Sequence, residues 1–248
     1  MDTSAREIHE ALEAVSLLRQ RRAADPALAE ASLAIKRFQA LRFQATYADL
    51  REQPRYDPAV RFFLHELYSD KDYAERDQQF ARIANTIARL FPEAVVTTAA
   101  ALAGVHALTE ELDDAMARQW LAIQTSHLQE LDGAGYMACW RRVADPAARQ
   151  QQLQVVLQLG HELERLTRMR GLRMLLRMMH RPAAAAGLTS LQQFLEAGFD
   201  AFATMNGSGE FLRLIETRES SWIASLFEDD AVTCETKLRQ LFSAGRSH

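Results

Sequence analysis

Apolar side chains recur at helical spacing along almost the whole chain, and this pattern constrains the fold more than any other feature. No segment alternates between apolar and polar residues for long enough to form a strand. Glycine and proline account for only ten and six of the 248 residues, and they fall mostly where the helical pattern stops. The sequence therefore predicts an all-α protein without a sheet. We expect a single compact domain over residues 1–248, a multi-helix bundle of about eight to ten helices.

The breaks in the pattern divide the chain into three parts. An N-terminal helical hairpin is predicted at about 4–51, with Pro26 in the first turn of its second helix. The main bundle is predicted at about 58–227, followed by a weakly ordered C-terminal tail. The individual helices are expected at 4–23, 26–51, 58–68, 70–91 and then to about 131 with a break at Gly104, followed by a short helix after "LDGAGY". A long helix is expected from Pro146 to His180, where "HRPAAAAG" stops it, and it either kinks near Gly171 or changes the neighbour that it packs against. The last helices are expected at 189–205 and 209–227.

Composition and charge exclude several functional classes. The net charge of −4 provides no overall field that would attract nucleic acid or an anionic membrane. Cys139 and Cys234 are far apart and form no CxxC, so neither a disulfide framework nor a thiolate metal site is indicated. The most apolar stretch, 94–108, is too short for a membrane span, and the first residues resemble no secretory signal. A cytoplasmic protein is expected.

The stretch "FFLHELYSDKDYAERD", residues 62–77, combines aromatic and charged side chains and raises the question of a reaction centre. Most of its polar residues fit a corner between two helices. Ser69 is a candidate N-cap with Asp72 three residues later, and Tyr68 and Tyr73 occupy the positions of a hydrophobic staple. The structural interpretation is therefore favoured over a catalytic one.

Two charged pairs interrupt apolar helix faces. Arg76, next to Asp77, lies in the stripe that includes Phe80 and Ile87, and Glu219, next to Arg218, lies in a second stripe near the C-terminus. Because an unpaired buried charge costs several kcal/mol, we expect a cross-helix network that pairs Arg76 with Glu219 and Asp77 with Arg218. With Tyr68, these four residues are the candidate ligand-binding residues, since buried ionisable groups often line functional pockets.

A basic stripe is formed by Arg170, Arg173, Arg177 and Arg181, opposite Leu172, Leu175, Leu176 and Met179. This amphipathic pattern suits an acidic protein partner, a membrane surface or phosphates. A solvated face on an integral helix explains the same pattern. Nucleic acid is disfavoured because no aromatic residues alternate with the arginines.

Signals for catalysis or metal binding are weak. His127 with Glu130 and His106 with Glu110 have helical spacing, but they lack the additional glutamates of a bundle carboxylate site. No phosphate-binding loop, nucleophile elbow or Cys–His constellation is present in the sequence. We therefore predict no catalytic residue, no metal and no cofactor.

The run from Phe62 to Asp77, together with "RPAAAAGLTSLQQFLEAGFDAF" and "EFLRLIETRE", resembles an uncharacterised family of proteobacterial helical proteins. The resemblance rests on an FFxxxLYxxxDxxxRD-type signature and a C-terminal FLExGFxAF element, and it covers most of 58–227. It implies one intact domain in a bacterial cytoplasm. It implies no activity, ligand or catalytic residue.

Two functions remain open at this point. The first is a non-enzymatic binding or regulatory protein that acts through a helix face or the basic stripe 170–181. The second is a small-ligand-binding protein or enzyme with a polar pocket around Arg76, Asp77, Arg218 and Glu219. The first is favoured because acid–base chemistry usually requires a third converging group, and the sequence indicates none. The sequence is also compatible with a homo-oligomer.

Overall fold

The structure, a computed structural model, describes residues 3–67, 71–124 and 130–245. Throughout these ranges the regular structure is helical and no strand occurs. The helices are α1 (Thr3–Ala24), α2 (Pro26–Thr46), α3 (Ala48–Arg51), α4 (Asp57–Phe62), a π-helix (Phe63–Leu67), α5 (Ala74–Leu90), α6 (Glu93–Ile123), α7 (Gly133–Val143), α8 (Pro146–Thr167), α9 (Leu172–Ala185), α10 (Thr189–Met205), α11 (Gly209–Glu228) and α12 (Ala231–Gly245).

The prediction of an all-α protein is confirmed, but eight to ten helices is too few, because the described residues form twelve α-helices and a π-helix. The predicted second helix, 26–51, is divided into α2 and α3 at Tyr47. The predicted helix 58–68 changes to π geometry at Phe63. These short divisions keep the helical spacing of apolar residues nearly intact, which is why periodicity alone does not reveal them.

Aspartate caps fix the starts of two long helices. The sequence Ala-Asp-Pro precedes both α2 and α8, and in each case the aspartate carboxylate accepts hydrogen bonds from the first turn. Asp25 accepts from Ala27 and Leu28, and Asp145 accepts from Ala148 at 2.7 Å. Proline follows as the first helical residue, where its missing N–H has no cost.

The long helix α6 lies at the centre of the fold. It packs against α1 and α2 and also against α7 and α8, and it is continuous through Gly104, where a break was predicted. Helix α10 packs against α4, α5, α8 and α9. Gly198 on α10 allows the close approach of α4, because a Cβ there would lie 2.8 Å from the ring of Phe62.

The predicted long helix 146–180 is two helices. Helix α8 ends at Thr167, and α9 begins after Gly171. The φ of Gly171 is +82°, which glycine adopts without strain. The prediction that the "HRP" sequence stops this helix is wrong, since α9 continues through Pro182 to Ala185. Pro182 has no N–H to donate to the carbonyl of Met178, and the helix continues past this missing hydrogen bond.

The segment after 227, expected as a weakly ordered tail, forms α12 instead. It packs against α2 and α7 and buries Cys234 and Leu238. One cluster of buried side chains extends from Ile8 to Leu238. The single-domain organisation remains a prediction. None of the described helices is long and apolar enough to cross a membrane.

Candidate functional site

Arg76 and Asp77 are buried, as the sequence indicates, but with partners other than those predicted. The Asp77 carboxylate accepts hydrogen bonds from Arg19 on α1, from His106 Nε2 at 2.8 Å, and from the neighbouring Arg76 at 3.2 Å. Arg76 also donates to the carbonyl of Glu66 at 2.9 Å. Burial alone would raise the pKa of Asp77, but the hydrogen bond and charge of His106 and the charge of Arg76 lower it to about 2.

Glu219 belongs to a second, separate cluster. Its carboxylate accepts from Arg42 Nη2 at 2.8 Å and from the Tyr47 hydroxyl at 2.7 Å. Burial disfavours the charge on Arg42, but Glu219 outweighs this effect and raises the pKa of Arg42. Arg218 points elsewhere and binds Asp49 through two bonds of 2.7 Å near the surface.

The predicted cross-helix pairing is therefore wrong. Arg76 pairs with Asp77 rather than Glu219, and Arg218 pairs with Asp49 rather than Asp77. Two networks form because α1, α2 and α6 supply the missing partners: Arg19, Arg42 and His106. Tyr68, the fifth candidate residue, lies outside the described residues, as does Ser69. Helix α5 begins at Ala74 with Tyr73 as its N-cap, four residues after the predicted start.

The sequence carried a signal for the missed residues. Arg42 follows Ile35 and Phe38 at helical spacing on α2, and Arg149 precedes Leu153 at the same spacing on α8. Each is a charge within an apolar stripe, like Arg76. Glu110, Asp113 and Asp114 show the pattern on α6, where they lie among buried alanines and Trp120.

A first cavity, of about 100 Å³, lies beside the Arg42–Glu219 pair. We call it the charged cavity. Arg149, Asp113, Gln39 and Trp140 share its wall with that pair, and the remaining wall is largely apolar. Of the four sequence-predicted ligand residues that the structure describes, only Glu219 lines it.

Arg149 is the unusual residue of the charged cavity. It is 5% exposed, and no carboxylate lies within 4 Å of its guanidinium in the described ranges. Its remaining contacts are weak: Gln152 at 3.3 Å, the sulfur of Met116 at 3.6 Å, and the ring of Trp140, whose centroid lies 3.8 Å away. Burial accordingly lowers the pKa of Arg149. Its Nε finds no acceptor in the part of the chain that the structure describes.

Glu110 and Asp113, one turn apart on α6, have opposite environments. Burial opposes the charge of Glu110, but Lys36 and Arg22 both bind its carboxylate and lower its pKa to about 2. Among the described residues, Asp113 receives a hydrogen bond only from the Gln39 amide, at 2.7 Å. Burial therefore dominates and raises the pKa of Asp113 to about 6.

A second cavity, of about 250 Å³, lies between α5, α6, α8, α9 and α10. We call it the apolar cavity, because aliphatic and phenylalanine side chains form most of its wall. Several wall residues remain partly exposed although packed helices surround them: Phe63, Ile83, Phe91, Val95, Leu102 and Leu163. His106 also lines this cavity, with its Nε2 bound to Asp77 behind it.

The two cavities are adjacent. Phe63, Thr109 and Val156 line both. The charged cavity thus meets one side of the apolar cavity, while α9 covers another side through Leu172, Leu176 and Met179. No side chain of the predicted basic stripe lines either cavity.

All four arginines of the basic stripe are exposed. Arg173 pairs with Asp200 at 2.8 Å, whereas Arg170, Arg177 and Arg181 have no carboxylate within 4 Å among the described residues. Met174 and Met178, 66% and 67% exposed, lie on the same helix. The outer surface of α9 is therefore both basic and apolar.

The described ranges contain no group of three or more His, Cys, Asp or Glu residues that could hold a metal ion. His127 lies outside those ranges. His106, the other candidate, binds Asp77, whereas Glu110 binds Arg22 and Lys36. Cys139 and Cys234 are free and buried, and burial raises the pKa of the Cys139 thiol to about 11, which makes it unreactive.

Comparison with known proteins gives a family without an assigned function. A family model described as "Domain of unknown function (DUF8198)" matches residues 18–233. The chain belongs to this family. No curated protein matches the chain, and no solved structure matches it either. All residues that line the two cavities lie within the matched range 18–233, so both cavities belong to the family domain.

Proposed function

We propose that the protein is a small-ligand-binding protein whose ligand occupies the apolar cavity. The observation that carries this proposal is the cavity of about 250 Å³ with an almost entirely apolar wall. Protein interiors contain few voids larger than one water molecule. An engineered apolar cavity of about 150 Å³ is already large enough to bind benzene.

The size of the cavity makes an unfilled state costly. At about 24 cal/mol per Å³, a closed dry void of about 250 Å³ would cost the fold about 6 kcal/mol, and this figure is an upper bound for a cavity that reaches the surface at one edge. This figure is comparable to the whole stability of an ordinary domain, about 5 to 15 kcal/mol. Water would find few hydrogen-bond partners on the wall. An apolar ligand removes this cost and contributes its own burial.

A route for the ligand lies between α5 and α9. Thr86 on α5 and Met179 on α9 both line the cavity and both are exposed, so the cavity reaches the surface beside them. Helix α9 is bounded by Gly171 and Gly187, both at positive φ. We place the entrance at this edge.

Binding of N-phenylnaphthylamine, a neutral fluorophore that brightens in apolar surroundings, tests the proposal. We expect saturable binding of one molecule per chain. Ala99 lines the cavity, so Ala99→Phe should fill it and abolish binding. Ala101 lies two residues away on the exposed face of α6, and Ala101→Phe is the matched control that should bind normally. No saturable binding by the unmodified chain would refute the proposal.

The basic stripe supports a second function, the docking of an acidic protein partner on α9. Three of its arginines lack a carboxylate partner among the described residues, and Met174 and Met178 offer apolar contact beside them. Replacing Arg170, Arg173 and Arg177 by Gln should remove binding to immobilised polyglutamate with nearly unchanged thermal stability. The same change at exposed Arg21, Arg51 and Arg213 is the control. A large loss of stability in the α9 variant would contradict a docking role.

We further propose one domain and a bacterial, specifically proteobacterial, cytoplasmic setting. The continuous cluster of buried side chains from Ile8 to Leu238 supports the single domain. Two free, buried thiols, Cys139 and Cys234, suit a reducing compartment. The proteobacterial origin rests on the sequence resemblance alone. Limited proteolysis that released two separately folded pieces would contradict the single domain.

A further inference from the structure

We propose that the ligand is amphipathic, with a compact anionic head group in the charged cavity beside Arg149 and a hydrocarbon chain in the apolar cavity. This inference rests on the proposed function, because it assumes that the apolar cavity binds a ligand. It adds the chemical class of that ligand and the residue that selects it.

Three residues of the charged cavity have hydrogen-bond donors without an acceptor among the described residues. They are Arg42 Nε, Arg149 Nε and Trp140 Nε1, and all three atoms are buried. All three residues line the cavity. Buried donors are almost always satisfied in native proteins, so three unsatisfied donors on residues that line one cavity indicate a missing acceptor. A ligand oxygen supplies that acceptor.

Arg149 also lacks a carboxylate within 4 Å among the described residues, and Asp113 on the same wall acts on its charge only from farther away. A buried guanidinium ordinarily has a carboxylate partner, because burying an unpaired charge is costly. Arg42 illustrates the ordinary case, since Glu219 binds it at 2.8 Å. Arg149 instead stacks on Trp140 and contacts an amide and a sulfur. An anionic head group would pair with Arg149, and guanidinium geometry suits a carboxylate or a phosphate.

Asp113 on the same wall opposes an anion, and its environment limits this effect. Its carboxylate receives a hydrogen bond from Gln39 rather than from a cation among the described residues, and burial raises its pKa to about 6, so its protonated form becomes accessible as the pH falls toward 6. In that form Asp113 no longer repels a head group. Removal of its charge should accordingly strengthen anion binding, whereas removal of Arg149 should weaken it.

The arrangement of the two cavities orients the ligand. They share Phe63, Thr109 and Val156, so these three side chains lie between the two cavities, and a ligand that occupies both passes beside them. The charged cavity measures about 100 Å³, against about 250 Å³ for its neighbour. This size fits a carboxylate or phosphate monoester and excludes a nucleotide-sized head group.

Three ligands with the same hydrocarbon chain test the proposal: palmitate, hexadecyl phosphate and hexadecanol. Each displaces N-phenylnaphthylamine from the unmodified protein, and we expect both anions to bind at least about tenfold more tightly than the alcohol, the ratio typical of a charged hydrogen bond. Whichever anion binds more tightly identifies the head group as carboxylate or phosphate.

Variants assign the effect to the charged cavity. Arg149→Gln should weaken palmitate binding at least about tenfold and change hexadecanol binding less than about twofold. Asp113→Asn should strengthen palmitate binding. Arg142→Gln, at an exposed arginine of α7, is the control and should change neither. Hexadecanol binding by each variant verifies that the apolar cavity is intact.

The outcomes separate this inference from the proposed function. Equal binding of palmitate and hexadecanol, or a palmitate affinity that Arg149→Gln leaves unchanged, would overturn the anionic head group and leave the apolar ligand standing. If none of the three ligands binds and the fluorophore does not bind either, both the anionic head group and the proposed ligand-binding function are overturned. Preference for the anions that is lost in Arg149→Gln and increased in Asp113→Asn would establish the inference.

Discussion

Glu110 and Asp113 offer a sharp test of the buried electrostatics, because they lie one turn apart on α6 and are similarly buried, at 4% and 6% exposure. Asp113→Asn removes a carboxylate to which, of the described residues, only Gln39 donates, and Glu110→Gln removes one that Arg22 and Lys36 bind. We expect the first change to stabilise the protein at pH 7 and the second to destabilise it.

The size of each effect follows from the pKa values, because each unit of difference between the folded and the unfolded pKa corresponds to about 1.36 kcal/mol. For Asp113 the folded pKa is about 6 against an ordinary 3.8, so stability is lost as the pH rises through this window, by about 3 kcal/mol. For Glu110 the folded pKa is about 2 against an ordinary 4.5. Its contribution, also about 3 kcal/mol, is present above pH 4.5 and is lost as the pH falls toward 2.

Urea denaturation at pH 7 and at pH 4 measures both effects, with Glu111→Gln on the exposed face of α6 as the control. Asp113→Asn should raise the free energy of unfolding at pH 7 by up to about 3 kcal/mol, and this gain should largely vanish at pH 4. Glu110→Gln should lower the free energy of unfolding at pH 7. If Asp113→Asn destabilises the protein as much as Glu110→Gln, Asp113 has a cationic partner and the reasoning fails.

Three further predictions concern single contacts, each measured by urea denaturation. Arg42→Met alone should cost about 3 to 5 kcal/mol because it leaves the Glu219 carboxylate buried and unpaired. The double variant, with Met at both 42 and 219, should cost much less than the sum of the two single changes. Additive costs would contradict the pairing. Asp77→Asn should lower the free energy of unfolding more than Arg76→Met does, because Asp77 binds Arg19, Arg76 and His106. A larger loss for Arg76→Met would contradict Asp77 as the centre of this network. Gly171→Ala should cost about 1 kcal/mol from its φ of +82° alone, since none of the described residues other than its chain neighbours comes within 4 Å of the added Cβ; an unchanged stability would exclude that backbone angle.

Local features of the fold could be predicted from the sequence. Asp25 with Pro26 and Asp145 with Pro146 mark the starts of α2 and α8, because a cap and the first turn lie within a few residues of each other. The burial of Arg76 and Glu219 also followed from helical spacing. These inferences need only the geometry of one helix.

Features that depend on the relative placement of helices were not predictable in the same way. Arg76 and Glu219 were each correctly placed in a helix face, but helical spacing does not show which other helix covers that face. Arg42 lies in an apolar stripe just as Arg76 does, so two arginines compete as the partner of Glu219. Helical spacing alone does not decide between them. The cavities were not predicted either, because a void depends on how five separate helices pack and not on the pattern of any one.

Native mass spectrometry of the protein, purified without added ligand and then incubated with palmitate, tests the central claim most directly. We expect the mass of the chain plus one bound amphipathic molecule, either directly after purification or after incubation with palmitate. Ala101→Phe should show the same added mass, and Ala99→Phe, which fills the apolar cavity, should not. A bare chain mass in every sample, with palmitate in excess, would contradict a ligand-binding function for the apolar cavity.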